Sequence, residues 1–167
     1  MIGHALRRSA PALRASLRHM STAEAAKPTG LTLNFCLPHK PIYVDKAVDT
    51  VIIPGVAGVY GVTQGHSAVI SEMQPGLVKI YHEAGGEPEN WFVSAGFALT
   101  HPNSVTDITA VEAVKVDDMD PEAVKDTFNQ AKSDLAAASD EKERVAAQIQ
   151  MSTAQVMGQA LGLNLSA

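Results

Sequence analysis

Four histidines beyond the N-terminal segment, His39, His66, His82 and His101, are the residues of this 167-residue chain best suited to holding a metal ion. A metal site built on one strand or helix needs two of them at a ligand spacing such as His-x-His or His-x-x-x-His, and neither occurs. His82 is followed by Glu83, but adjacent side chains on a strand point to opposite faces. The imidazoles therefore read as solvated or packed, and no metal is expected. Ser67 and Ser94 lack the Gly-x-Ser-x-Gly elbow and a recognisable base, so no nucleophile emerges. Cys36 is the sole cysteine, which excludes an intramolecular disulfide and a Cys-based zinc site. The glycine series from Gly55 to Gly65 superficially resembles a phosphate loop, yet its last glycine opens into His66-Ser67-Ala68-Val69-Ile70, a strand pattern without the Lys-Ser/Thr that enters a helix. The acidic group Asp117, Asp118, Asp120 and Glu122 lacks the glycine and distal glutamate of a calcium loop, and reads as a charged helix start. No catalytic residue, metal ligand or cofactor site is expected.

The elements that carry these residues fall into two modules. From Leu31 to Val116 short apolar runs rich in Val, Ile, Thr, Phe and Tyr are cut at brief intervals by glycine and proline, which predicts an all-β sandwich or barrel of short strands over residues 31–116. Gly85-Gly86 marks the clearest hairpin, Pro75-Gly76 and Pro102-Asn103 mark further turns, and Gly55, Gly58 and Gly96 are expected at tight corners where backbones approach. The period changes at Asp117. Val124, Phe128, Ala131, Leu135 and Ala138 repeat at helical spacing, as do Val145, Ile149, Val156 and Ala160, so residues 117–167 are expected to form an antiparallel α-helical hairpin. Asp120, with Pro121 behind it, and Asp140, with Glu143 three residues on, are the expected N-caps. The facing surfaces are mostly alanine and bury little area, so the hairpin is expected to dock on the sandwich or on a partner. Gly158 and Gly162 suggest a frayed end.

The first twenty residues carry Arg7, Arg8, Arg14 and Arg18 among leucines and alanines, and the first acid is Glu24. That is the composition of a mitochondrial targeting peptide, expected to be removed near Met20 and followed by a linker at 21–30. Its removal leaves 9 basic residues, 13 less 4, against 18 acidic ones, moving the formal charge from −5 to −9. Neither nucleic acid nor an anionic membrane surface is expected to bind such a chain by charge alone. The longest stretch free of charged residues, Val145 to Ala167, carries too many amides and hydroxyls for hydrocarbon, so direct membrane insertion is not expected.

Three blocks carry a resemblance to a known family. The run from Ile53 to His66 followed by Gln74-Pro75-Gly76-Leu77-Val78, the block Trp91 to Phe97, and Ala110 to Val114 with Asp117 to Asp120 resemble the delta/epsilon family of rotary ATP synthase subunits. Its members are called delta in mitochondria and epsilon in bacteria and chloroplasts. The resemblance spans roughly residues 31–161 and implies a β-sandwich of about ten strands followed by a helical hairpin, in line with the periods read independently.

What the resemblance implies is a mechanical, non-enzymatic part. In the family the sandwich grips the foot of the gamma subunit and stands on the polar loops of the membrane c-ring, passing proton-driven rotation to the catalytic hexamer. Mitochondrial members also contact a small separate subunit named epsilon, and the expected location is the matrix face of the inner membrane. By motif, the expected ring-facing turn is Tyr60, Gly61, Val62, Thr63, Gln64, Gly65 and His66. Val59 stands where bacterial members often have glutamate, and Gln64 where proline is frequent, so position 59 offers no salt bridge to a ring loop. Bacterial nucleotide binding relies on an Arg-Ala element in the first helix. Here the region reads Val124-Lys125-Asp126, and no nucleotide is expected. No Lys or Arg follows Arg144, which argues against inhibition through a basic last helix. The competing readings are a small jelly-roll metalloenzyme and a sandwich that binds an extended peptide at an open sheet edge.

Overall fold

The computed structural model describes residues 30–166; the expected targeting peptide at 1–20 and nearly all of the expected linker at 21–30 lie outside the described residues. Ten strands come first: β1 Leu31–Cys36, β2 Pro41–Val48, β3 Thr50–Gly55, β4 Gly58–Thr63, β5 Val69–Met73, β6 Gly76–Tyr81, β7 Glu89–Val93, β8 Gly96–Thr100, β9 Val105–Ala110 and β10 Ala113–Lys115. A 3₁₀ turn at Val116–Asp118 leads into α1 Pro121–Ala137 and α2 Glu141–Ala160. The expected β-sandwich followed by two helices is the fold found.

The strands form one hydrogen-bonded path, β10-β7-β6-β3-β5-β8-β9-β1-β2, with β4 on the other edge of β3. β3 is the hinge of this path: Thr50 to Ile52 pair with β6, whereas Gly55 pairs with β5. Pro54 occupies the seam between the two, where its missing N–H leaves no donor unpaired, and its carbonyl accepts the Gln74 N–H at 3.0 Å. Folding at this seam brings the inner faces of both halves together. Leu31, Leu33 and Phe35 of β1, Val51 and Ile53 of β3, Val62 of β4, Val78 and Ile80 of β6 and Ile108 of β9 form one buried core. Along β1 and β6 buried and part-buried residues alternate strictly, as a two-layer arrangement demands.

The expected corner glycines are strand-end residues with two distinct jobs. Gly76 opens β6 against Pro54, and a Cβ there would stand 2.8 Å from the Pro54 Cβ. Gly96 opens β8 with φ +157°, and its Cβ would meet the Thr109 carbonyl oxygen at 2.0 Å. Gly55 and Gly58 close the β3–β4 hairpin around Val56-Ala57, while Pro75 leads from β5 to β6, which pair with different parts of β3 and do not form a hairpin.

The helical hairpin docks on the outside of the first half-sheet. Phe92 of β7 and Leu77 of β6 point outward into a second apolar cluster with Met119, Val124, Val156, Met157 and Leu161. Asp120 Oδ1 accepts the Glu122 N–H at 2.9 Å, and Asp140 Oδ1 accepts the Glu143 N–H at 2.7 Å, so each helix begins on a capped donor. In α1 the buried residues are Val124, Phe128 and Ala131, as the period predicts. In α2 the period holds at Val156, which joins that cluster, and misleads in the first turns: Val145 and Ile149 are exposed, and the buried residues are Ala147, Ala154 and Gly158. Close helix approach selects the small residues here and turns Val145 and Ile149 out. Nor is the end frayed. Gly162 at φ +73° and Leu163 donate to the carbonyls of Gln159 and Gly158 in a Schellman cap, and Gly158 leaves room for Leu165 to fold back onto the helix.

The side of the sandwich opposite β3 is closed by Glu89. Its Oε2 accepts the Tyr43 hydroxyl of β2 and lies 3.0 Å from His82 Nε2, while Oε1 is paired with Lys115 Nζ of β10. Lys115 Nζ also sits 5.4 Å from the centre of the Trp91 ring, and Phe35 meets Trp91 edge-on at 5.8 Å. Burial alone would raise the Glu89 pKa, but hydrogen bonds from Lys115, Tyr43 and His82 outweigh it and hold the carboxyl at about 2. Burial and the Glu89 hydrogen bond push Tyr43 up to about 12, and the same carboxylate raises Lys115. Because the folded pKa of Glu89 lies below its ordinary 4.5, its stabilisation is complete above that value and is lost as pH falls towards 2. Glu89→Gln should lower stability at pH 7 by about 2–3 kcal/mol. Denaturant melts of both proteins should show this gap closing between pH 4.5 and 2.

Candidate interaction surface

Each half-sheet has an outer face, and only one is covered. The helices sit over β6 and β7, whereas on the outer side of β5 and β8 Ile70, Glu72 and Phe97 stay exposed. β8 is inverted: small Ala98 and hydroxylic Thr100 point into the core, and Phe97 and Leu99 point out. Thr100 is accommodated inside because its hydroxyl lies 3.3 Å from that of Thr106. Register places Ile70 beside Leu99, and Phe97 between Glu72 and Thr109. Ile70 is 76% exposed and Phe97 53%, an unusual state for residues of this size on a sheet.

The patch continues to both sides. Val56, Val59, Tyr60, His66, Ile70 and Glu72 line an open cleft of about 550 Å³ between the β3–β4 hairpin and β5. On the far side Glu72, Phe97 and Val111 share a second depression with Gly96 and Thr109. Val56, Val59 and Val111 are exposed as well, so one apolar tract runs from the hairpin tip across β5 and β8 to the end of β9. Sequence periodicity misses Ile70 and Phe97 because both lie in strands with apolar residues on both faces. The retrievable signal is the small-large inversion in Phe97-Ala98-Leu99-Thr100.

The expected turn from Tyr60 to His66 is mostly strand. Tyr60 to Thr63 belong to β4 and pair with β3, and the turn proper is Gln64-Gly65, closed by the His66 N–H donating to the Thr63 carbonyl at 3.2 Å. Val62 faces Val51 and is fully buried, so it can touch no partner. Tyr60 packs against the core, with its hydroxyl buried and unpaired. Gly61, Thr63, Gln64 and Gly65 are exposed, and His66 is half-buried with its ring 6.4 Å from Tyr60 and Nδ1 2.8 Å from the Ser67 carbonyl. That contact places the neutral ring's proton on Nδ1.

Among the described residues no group of three or more His, Cys, Asp or Glu could hold a metal ion, and no helix is long and apolar enough to cross a membrane. His82 pairs with Glu89 and His101 with Asp107, and each pair ties strands together.

Comparison with known proteins places this architecture among others. The family model described as ATP synthase, Delta/Epsilon chain, beta-sandwich domain matches residues 30–116. The chain is 34% identical over 159 residues to the mitochondrial ATP synthase F(1) complex subunit delta of Dictyostelium discoideum, covering 95% of this chain and 93% of that one. It is 40% identical over 134 residues to the mitochondrial ATP synthase subunit delta' of Pisum sativum, covering 80% and 67%. A chain of the Euglena gracilis mitochondrial ATP synthase, in an OSCP/F1/c-ring structure, superposes with a TM-score of 0.75 at 25% identity, covering 84% of this chain and 87% of that one.

Burial separates two substitutions that look alike in sequence. Val62→Asp should cost about 3–5 kcal/mol by burying a carboxylate, whereas Phe97→Asp on the exposed face should cost about 1 kcal/mol or less. Thermal melts of the two variants check the difference.

Proposed function

The chain belongs to the ATP synthase delta/epsilon family, and from that premise we propose that it is the rotor-stalk subunit of a mitochondrial proton-transporting ATP synthase. It catalyses no reaction. It binds the gamma subunit through the uncovered apolar tract, stands on the c-ring through the Gln64–His66 turn, and receives the small mitochondrial epsilon subunit. Its place is the matrix face of the inner membrane. The observation that carries this reading is the asymmetry of the sandwich: one outer face is covered by the chain's own helices, and the other keeps Ile70, Phe97, Val59 and Val111 in water. A free monomer gains nothing from such a tract, whereas a permanent complex buries it.

The mechanism asked of the part is resistance to slip. Torque crosses it only if the contacts on both sides are broad, on the order of 2,000 Å² or more for obligate interfaces, and if the body between them does not shear. Cross-strand pairing on both sides of β3 and the Glu89 cluster opposite supply that stiffness. The net negative charge of the processed chain keeps it from sticking to anionic lipid headgroups, and attachment to the ring relies on the shape, backbone and polar groups of the Gln64–His66 turn.

The combined substitution Ile70→Asp and Phe97→Asp should lower the amount of assembled enzyme at least tenfold on native gels of mitochondria, while the isolated variant keeps its fold. ATP synthesis should fall with it. Normal assembly and synthesis in this variant would remove the apolar tract as the gamma contact.

A further inference from the structure

The exposed Gln64-Gly65 turn follows β4, in one half-sheet, yet it is fastened to the other. The Gly65 N–H donates to Ser104 Oγ at 3.0 Å across a separation of 39 residues. Ser104 closes the turn between β8 and β9 and lies at φ +64°, in the left-handed region that costs a non-glycine residue about 1 kcal/mol or more. Its carbonyl accepts the Thr32 N–H of β1 at 2.9 Å, and its own N–H donates to the His101 carbonyl at 3.3 Å. The turn is pinned at its other end as well. The His101 N–H donates to the Val105 carbonyl at 2.8 Å, and His101 Nε2 lies 2.7 Å from Asp107 Oδ2. Asp107 Oδ1 accepts from Asn34 Nδ2 at 2.7 Å, and Asn34 Oδ1 accepts the Asp45 N–H at 2.7 Å. One chain of hydrogen bonds thus runs from β2 through β1 and β9 to Ser104 and ends on Gly65.

Glycine would relax this backbone, but it carries no hydroxyl to receive the Gly65 N–H. We propose that Ser104 is a positioning residue, a strap that ties the Gln64–His66 turn to the opposite half-sheet and fixes its height and angle for the surface it meets. The inference rests on the proposed contact of that turn with the c-ring. Without the strap the turn loses its hydrogen bond to the β8–β9 corner, and a load applied there displaces the Gly65 backbone more easily relative to the opposite half-sheet.

Ser104→Gly removes the hydroxyl while suiting the left-handed backbone, so it leaves the fold intact. Ser104→Asn tolerates the same backbone and returns an acceptor oxygen. In the isolated full chain, hydrogen exchange at the Gly65 amide, read by NMR, should quicken about tenfold or more in Ser104→Gly and slow again in Ser104→Asn. In the assembled enzyme, Ser104→Gly should lower ATP made per unit proton current at least twofold at an unchanged amount of complex, with recovery in Ser104→Asn. Unchanged exchange at Gly65 overturns the strap. Faster exchange with undiminished coupling overturns the positioning role. A Gln64→Cys chain, with Cys36→Ser, tests the contact itself: it should cross-link to the ring, and failure to do so refutes that contact while the exchange result still decides the strap.

Discussion

The structure depends on β3 being shared. One strand pairs with β4 along its full length, with β6 over its first half and with β5 at its end, so two half-sheets that would otherwise slide over each other become one body. Proline at the seam makes this division possible: at Pro54 the partner strand changes, and a residue with no N–H can sit there without leaving a buried donor unpaired. The core that fills the fold, from Leu33 and Phe35 to Val51, Ile53 and Ile80, exists because β3 brings both inner faces together.

A body of this kind is stiff only if it is closed on more than one side. The Glu89 cluster draws β2, β7 and β10 together opposite β3, and the bond from Gly65 to Ser104 ties the halves at the end that carries the exposed turn. These ties are polar, directional and placed at the perimeter, while the apolar core between them is non-directional. The division suits a load-bearing part: the core supplies cohesion and the perimeter bonds resist shear. Apolar area is buried on one outer face, where Phe92 and Leu77 receive the helices, and left exposed on the other at Ile70 and Phe97.

Much of the fold is legible in the residues. Short Val- and Ile-rich runs broken by glycine announce strands, Asp120-Pro121 and Asp140 announce helix starts, and the apolar spacing of Val124 and Phe128 announces the docked face of α1. Where periodicity misleads, a tertiary requirement overrides a local one. Val145 and Ile149 look like core because they are branched, but two helices in close contact select Ala147, Ala154 and Gly158. Gly162 looks like fraying because the capping bonds from Gly162 to Gln159 and from Leu163 to Gly158 are invisible until the chain has turned back. The proposed interaction surface is harder still. Family resemblance points to the segment from Tyr60 to His66, yet which of its residues face outward depends on pairing register: Val62 is sealed against Val51 and Gly65 is open. Ile70 lies outside the three resemblance blocks and Phe97 only closes one of them, and nothing in either position marks the side chain as outward until the sheet is formed.

The central claim is that the uncovered side of the sandwich is a permanent interface in the rotor. Thiol labelling tests it most directly, with a cysteine at Phe97 and Cys36 replaced by serine, comparing the isolated chain with the same chain in intact enzyme in mitochondrial membranes. The account predicts rapid labelling of the free protein and labelling at least a hundredfold slower in the assembled enzyme, since a side chain at the centre of a close-packed interface is cut off from water. Equal rates in the two states would contradict it.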